Sequence, residues 1–199
     1  SWTNVKAKNV SAYAKSKTLA ERAAWDFINA QTDATPMELS VVNPGPVFGP
    51  TLTGDLSGAS MGMFKQMMSG KMPMVPQAAI NMSDVRDIAK IHALALENEK
   101  ANGKRFIVTT EEPFAFQEVA KILKSNGYDK VSTRLAPNFL LNFIGNFDRE
   151  GKSMRSFIGK TYNGDVSLTM KTFDWNPIPF KKTVLDTAKS IESYLNKVD

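Results

Sequence analysis

Between residues 11 and 30, Tyr13, Lys17, Ala20, Ala24 and Ile28 recur at spacings of three and four, and a short apolar run over residues 37–43 follows. The first pattern predicts a helix with Ser11 as its N-cap; the second predicts a strand built on Leu39, Val41 and Val42. Asn43-Pro44-Gly45-Pro46 ends that strand, because proline has no amide with which to continue a ladder. A helix that feeds an apolar strand through a short turn is the repeating piece of an α/β fold.

The pattern recurs downstream. Ser83 reads as the N-cap of a helix over residues 84–98, with Asp84 and Asp87 in its first turn, where the helix dipole favours negative charge. Val85, Ile88, Ala89, His92 and Leu96 form its expected apolar stripe, on which the lone imidazole reads as a structural residue. Phe106, Ile107 and Val108 then read as a second buried strand. Helices are also expected over residues 60–70 and over 116–126, the latter stopped by Gly127. A further helix opens at Pro137 and carries a ridge of Phe139, Phe143 and Phe147. A last helix is marked by Val184, Ala188, Ile191, Leu195 and Val198. Residues 130–135 and 165–169 are expected to be extended, and residues 170–175 to form one helical turn. Pro, Gly, Thr and Ser dominate residues 44–58, a long loop of the kind that often carries function. The methionines at 61, 63, 67, 68, 72, 74 and 82 read first as adaptable core filler and second as a plastic wall for an apolar ligand.

Composition removes several classes of chemistry. The 199 residues include no cysteine and a single histidine, so thiolate sites, disulfides, a cysteine nucleophile and multi-histidine metal centres are excluded. The net charge of +5 comes from 25 basic and 20 acidic residues interspersed along the chain, which reads as a solvated surface and not as a nucleic-acid partner. No run of apolar residues is long enough to span a membrane, so a cytoplasmic protein is expected.

Tyr13 and Lys17 are one helical turn apart on one face. A phenol ordinarily titrates near pH 10, and a cation beside it favours the phenolate, which makes the pair a plausible proton shuttle for a reacting oxygen. Reduction of a carbonyl by hydride leaves an alkoxide that must gain a proton, and such a tyrosine is suited to supply it. The spacing by itself is a common coincidence; its surroundings make it informative.

Tyr13-Ala14-Lys15-Ser16-Lys17, the Asn43-Pro44-Gly45-Pro46-Val47-Phe48-Gly49-Pro50 loop, Asp84-Val85-Arg86-Asp87-Ile88-Ala89 with His92, Gly103-Lys104-Arg105-Phe106-Ile107 and Trp175-Asn176-Pro177 together resemble the extended short-chain dehydrogenase/reductases. The resemblance is greatest to the dihydroflavonol 4-reductase-like aldehyde and ketone reductases, and it runs over nearly the whole chain. It implies an α/β fold: the carboxyl-terminal part of a Rossmann-type doubly wound parallel sheet with a smaller mixed α/β substrate lobe. Residues 1–50 and 80–110 would supply the last strands and helices of the sheet, and residues 51–79 and 111–199 the lobe and final helix, all in one piece.

The same resemblance implies that Tyr13 is the catalytic acid/base and that Lys17 tunes it and holds the nicotinamide ribose. Pro44 and Val47 would line the nicotinamide, and Ser60 would be either a further cofactor-side hydroxyl or a helix cap. The implied cofactor is NADP or NAD, with NADPH favoured, and the substrate a small carbonyl compound of apolar or aromatic character. A homodimer is left open. Two features of the family are not found: the glycine-rich strand-turn-helix that receives the pyrophosphate, and the serine or threonine that polarises the carbonyl ahead of the tyrosine. The expectation is therefore a carboxyl-terminal portion of a longer reductase, inactive alone and with an apolar sheet edge exposed. The alternatives are a nucleotide-sugar epimerase or dehydratase, and a noncatalytic, cofactor-sensing module of the same fold.

Overall fold

The computed structural model describes residues 2–8, 10–137 and 164–195. Helix α1 (Ala12–Asn29) begins at Ser11, whose Oγ accepts the Ala14 amide at 3.1 Å, the expected cap. It leads into strand β1 (Val41–Pro44). Met37 does not join the strand: both of its backbone polar groups bond the side chain of Gln31, which takes the place of a ladder partner. After β2 (Val47–Phe48) come α2 (Ala59–Met68), β3 (Ala79–Ile80), β4 (Ser83–Asp84) and α3 (Val85–Glu97). They are followed by β5 (Arg105–Val108), β6 (Phe114–Ala115), α4 (Phe116–Lys124), α5 (Ser167–Phe173) and α6 (Phe180–Leu195).

Strands β1 and β5 pair in parallel, Val41 opposite Arg105 through Pro44 opposite Val108. Strands β2 and β4 pair in parallel, and β3 and β6 antiparallel. The expected α/β class is therefore observed, with parallel pairs around α1 and α3 and a mixed arrangement beyond them. Among the described residues β1 pairs with β5 alone, so its other edge keeps unpaired backbone groups.

Two apolar clusters hold these elements. One joins Phe64 and Met67 of α2, Val119 and Leu123 of α4, and Val184, Ala188 and Ile191 of α6. The methionines at 61, 63, 68 and 72 pack partly buried against it, which is the core-filler role. The other gathers Ile91, Phe106, Val108, Phe173 and Trp175 between α3, β5 and α5. No helix among the described residues is long and apolar enough to cross a membrane.

Several local expectations are corrected. Asp84, not Ser83, caps α3: its carboxylate accepts the Arg86 amide, while Ser83 lies in β4 with its hydroxyl bonded to the Val108 carbonyl. The stripe on α3 is rotated, because the helix buries Asp87 and Ile91 and leaves Val85, Ala89, His92 and Leu96 exposed. The burial of Asp87 is made possible by donors from Trp175 Nε1 at 3.0 Å and the Ile178 amide at 2.8 Å. Ile107 points away from the core that takes Phe106 and Val108 and is 37% exposed. Residues 130–135 form no strand; a single bridge joins Leu135 to Val75. Helix α5 starts within the stretch expected to be extended, after Asp165 draws the Ser167 amide into a turn. The phenylalanine ridge at 139, 143 and 147, and Val198, lie outside the described residues.

Candidate active site

Helix α1 packs through Ala14, Thr18, Glu21, Trp25 and Ile28, of which only Thr18 is fully buried. The face carrying Tyr13, Lys17 and Ala20 is turned outward, and Tyr13 is 73% exposed. The expected stripe of α1 is thus split: Ile28 and Ala24 help it pack, whereas Tyr13 and Lys17 stand free of the core.

Glu21 ties α1 to the strands. Its carboxylate accepts a two-pronged contact from Arg105 at the start of β5, Nε at 2.5 Å and NH2 at 3.0 Å, and a third bond from Trp25 Nε1. The Arg105 guanidinium also lies over the Trp2 ring, 4.1 Å from its centre. Burial would raise the Glu21 pKa, but the bonds from Arg105 and Trp25, with a smaller contribution from Asn43, outweigh it and hold the carboxyl below its usual range. Glu21 therefore sits over the β1–β5 pair. Tyr13 precedes it by eight residues, a rise of about 12 Å along the helix.

The loop after β1 is built by close backbone contacts. The Gly45 amide donates to Ser83 Oγ at 2.8 Å, and a Cβ at Gly45 would fall 2.5 Å from the Asn81 carbonyl oxygen, so no larger residue fits without movement. The Ser83 amide donates to the Pro46 carbonyl, which starts the β2–β4 pairing. This leaves Pro44 exposed at the strand end and Val47 half-buried in β2. Ser60 lies in the first turn of α2 but does not cap it; the N-cap is Gly58. Of the expected site residues, the structure puts Tyr13 and Lys17 on one open helix face and Pro44 and Val47 on either side of the β1–β2 turn, at the end of β1 and the start of β2, with Ser60 further along the chain on another helix.

Beyond this loop lies a charged cluster whose motif was visible in the sequence but whose role was not. The Asp84 carboxylate, with 1% of its side chain exposed, accepts bonds from Arg86 Nε and NH2 at 2.9 and 2.7 Å and from Thr183 Oγ1 at 2.8 Å. Arg86 reaches on to Asp186 of α6 at 2.6 Å. Burial would raise the Asp84 pKa, and the bonds from Arg86 and Thr183 more than reverse it, holding the carboxyl below its usual range. Gly49, just ahead of this cluster, has φ of +125°, and a Cβ there would lie 2.7 Å from Val85 Cγ1. Gly49→Ala is expected to destabilise the fold by about 1–3 kcal/mol, seen as a lower denaturant midpoint at unchanged slope.

This parallel α/β arrangement is shared with Rossmann-type short-chain dehydrogenase/reductases of known structure. The chain's relatives are Gre2-like and cinnamoyl-CoA reductase-like members of the extended branch of that class, which bears out the resemblance read from the motifs. It is 33% identical over 130 residues to the NADPH-dependent methylglyoxal reductase GRE2 of Saccharomyces cerevisiae, covering 63% of this chain and 38% of that protein. It is 33% identical over 112 residues to the cinnamoyl-CoA reductase CAD2 of Medicago truncatula, covering 56% of this chain and 32% of that protein. The crystal structure of Gre2 from Candida albicans in complex with NADPH aligns with a TM-score of 0.68 at 26% identity, over 92% of this chain and 51% of that one. No family model matches the chain. The chain thus spans about half the length of this solved relative and less of the curated ones.

Proposed function

We propose that a protein containing this chain reduces a small aldehyde or ketone to the alcohol with NADPH, Tyr13 giving the proton. The observation that carries the proposal is the outward-facing pair on α1: a phenol and an ammonium one turn apart, held out of the core by a helix anchored through its opposite face. The donor set suits the nicotinamide-ribose end of the cofactor, since Lys17 can donate to ribose hydroxyls while Pro44 and Val47 offer an apolar surface beside it. When bound, NADPH supplies the hydride that the carbonyl carbon accepts. The carbonyl oxygen then takes the Tyr13 proton, and the phenolate left behind is stabilised by the Lys17 charge until solvent reprotonates it. The names of the relatives, a methylglyoxal reductase and a cinnamoyl-CoA reductase, support a carbonyl substrate, and the latter an aromatic one.

The test is NADPH oxidation by the full-length protein with methylglyoxal and with cinnamaldehyde, and, because an epimerase or dehydratase returns its nicotinamide to the starting state, product analysis of a UDP-sugar incubated with the protein and NAD. Turnover with the first two and none with the sugar nucleotide is expected. Turnover of the sugar nucleotide alone would replace this reading by that of an epimerase or dehydratase.

A further inference from the structure

Helix α6 carries two stripes. Val184, Ala188 and Ile191 enter the core, and alongside them Thr183, Thr187, Ser190 and Tyr194, at steps of four, three and four, form a row of hydroxyls. Every hydroxyl in that row is used. Thr183 donates to Asp84. Thr187 Oγ1 accepts the Gly49 amide at 2.7 Å, and Ser190 Oγ accepts the Thr51 amide at 3.0 Å. Tyr194 donates its phenol to the Leu52 carbonyl at 2.9 Å, and its ring covers Gly54, where an added Cβ would lie 2.6 Å from the ring. From Thr187 onward the row therefore runs along residues 49–54, one hydroxyl after another.

The loop from β1 is fixed at its near end by Ser83, through the Gly45 amide. Between that anchor and the row on α6 lies Val47, with Pro44 immediately ahead of the anchor. A segment held at both ends by directional bonds has little freedom to shift, whereas an irregular loop without a regular ladder depends on side chains to satisfy its amides.

We propose that Thr187, with Ser190 and Tyr194, is a positioning residue: the hydroxyl row of α6 sets the placement of residues 44–54, and through them the apolar surface that receives the reacting end of cofactor and substrate. The inference rests on the reductase reading for its functional consequence and on the hydrogen bonds alone for its mechanical one. Thr187 touches no reacting atom; it acts through Gly49. Thr187→Val keeps the shape of the side chain and removes the acceptor, leaving the buried Gly49 amide without a partner. Thr187→Ser keeps the acceptor and removes only a methyl group.

The experiment compares these two variants in the full-length protein by amide hydrogen exchange and by steady-state kinetics with NADPH and methylglyoxal. In Thr187→Val, exchange at Gly49 and Thr51 is expected to speed up roughly tenfold, with KM for NADPH several-fold higher and kcat little changed. Thr187→Ser is expected to restore both. Should Thr187→Val fail to fold, Ser190→Ala, at a half-buried position, carries the same comparison for the Thr51 amide. Equal damage in the Val and Ser variants would assign Thr187 to packing and overturn the proposal. Faster exchange at an unchanged KM would overturn the positioning role. Absence of any reductase turnover in the unaltered protein would instead defeat the functional reading, and exchange at Gly49 and Thr51 would still decide whether the row holds the loop.

Discussion

Tyr13→Phe in the full-length protein is expected to lower kcat for carbonyl reduction by about 10²–10⁴-fold, the usual range for removing a positioned general acid. The phenyl ring keeps the shape of the side chain and loses only the hydroxyl. Because Tyr13 is 73% exposed and its helix is tied to β5 through Glu21, the substitution leaves the core untouched, and the thermal midpoint is expected to stay within a degree or two. Binding of NADPH, followed by fluorescence titration, is expected to change little, since Lys17 and the loop carrying Pro44 and Val47 remain. A variant that retained full turnover would remove Tyr13 from the chemistry. One that lost cofactor binding and turnover together would make it a structural or binding residue instead.

Asp84→Ala is expected to have the largest effect on stability, about 3–5 kcal/mol. The carboxylate is almost fully enclosed and receives four bonds: two from the Arg86 side chain, one from the Arg86 amide and one from Thr183. Removing it leaves the Thr183 hydroxyl buried without its acceptor and uncaps α3. The Arg86 side chain is 34% exposed and retains Asp186, which places the cost toward the lower end of that range. The pH dependence follows from the direction of the shift. The folded protein binds the Asp84 proton more weakly than the unfolded chain does, so its contribution to stability is complete above the ordinary carboxylate range. It is lost as pH falls through the lower, folded-state value. Glu21 and Asp186, both held below their usual range, act in the same sense: for each, burial opposes the shift and hydrogen bonds outweigh it, from Arg105 and Trp25 in one case and from Lys182 and Arg86 in the other. Denaturant unfolding between pH 7 and pH 3 is expected to show a steep acid loss in the unaltered protein and a shallower one in Asp84→Ala.

The sequence was most legible where local rules and packing agreed. Helix α6 was marked by Val184, Ala188 and Ile191, which the structure buries completely, and α1 by Ser11, whose hydroxyl caps it as expected. It misled where a polar group was buried by a distant partner. On α3 the buried face includes Asp87, which the expected apolar stripe left out, and nothing near Asp87 in the chain shows that Trp175 and Ile178 will supply its donors. The strand expected from residue 37 starts at Val41, because a nearby glutamine side chain competes for the Met37 backbone. The candidate catalytic pair was visible because helical spacing relates Tyr13 to Lys17 directly. The bonds that fix the loop were not, since Gly49 and Thr187 are 138 residues apart and threonine has many ordinary uses.

The cluster around Asp84 also bears on how substitutions in this protein combine. Arg86 bridges two carboxylates, one on each of two elements, and Asp84 in turn holds Thr183. Once any member is gone, the remaining ones have less left to lose. In a double-mutant cycle over Asp84 and Thr183, the paired change should therefore cost less than the two single changes summed. Variation at these positions will be tolerated in company more readily than alone.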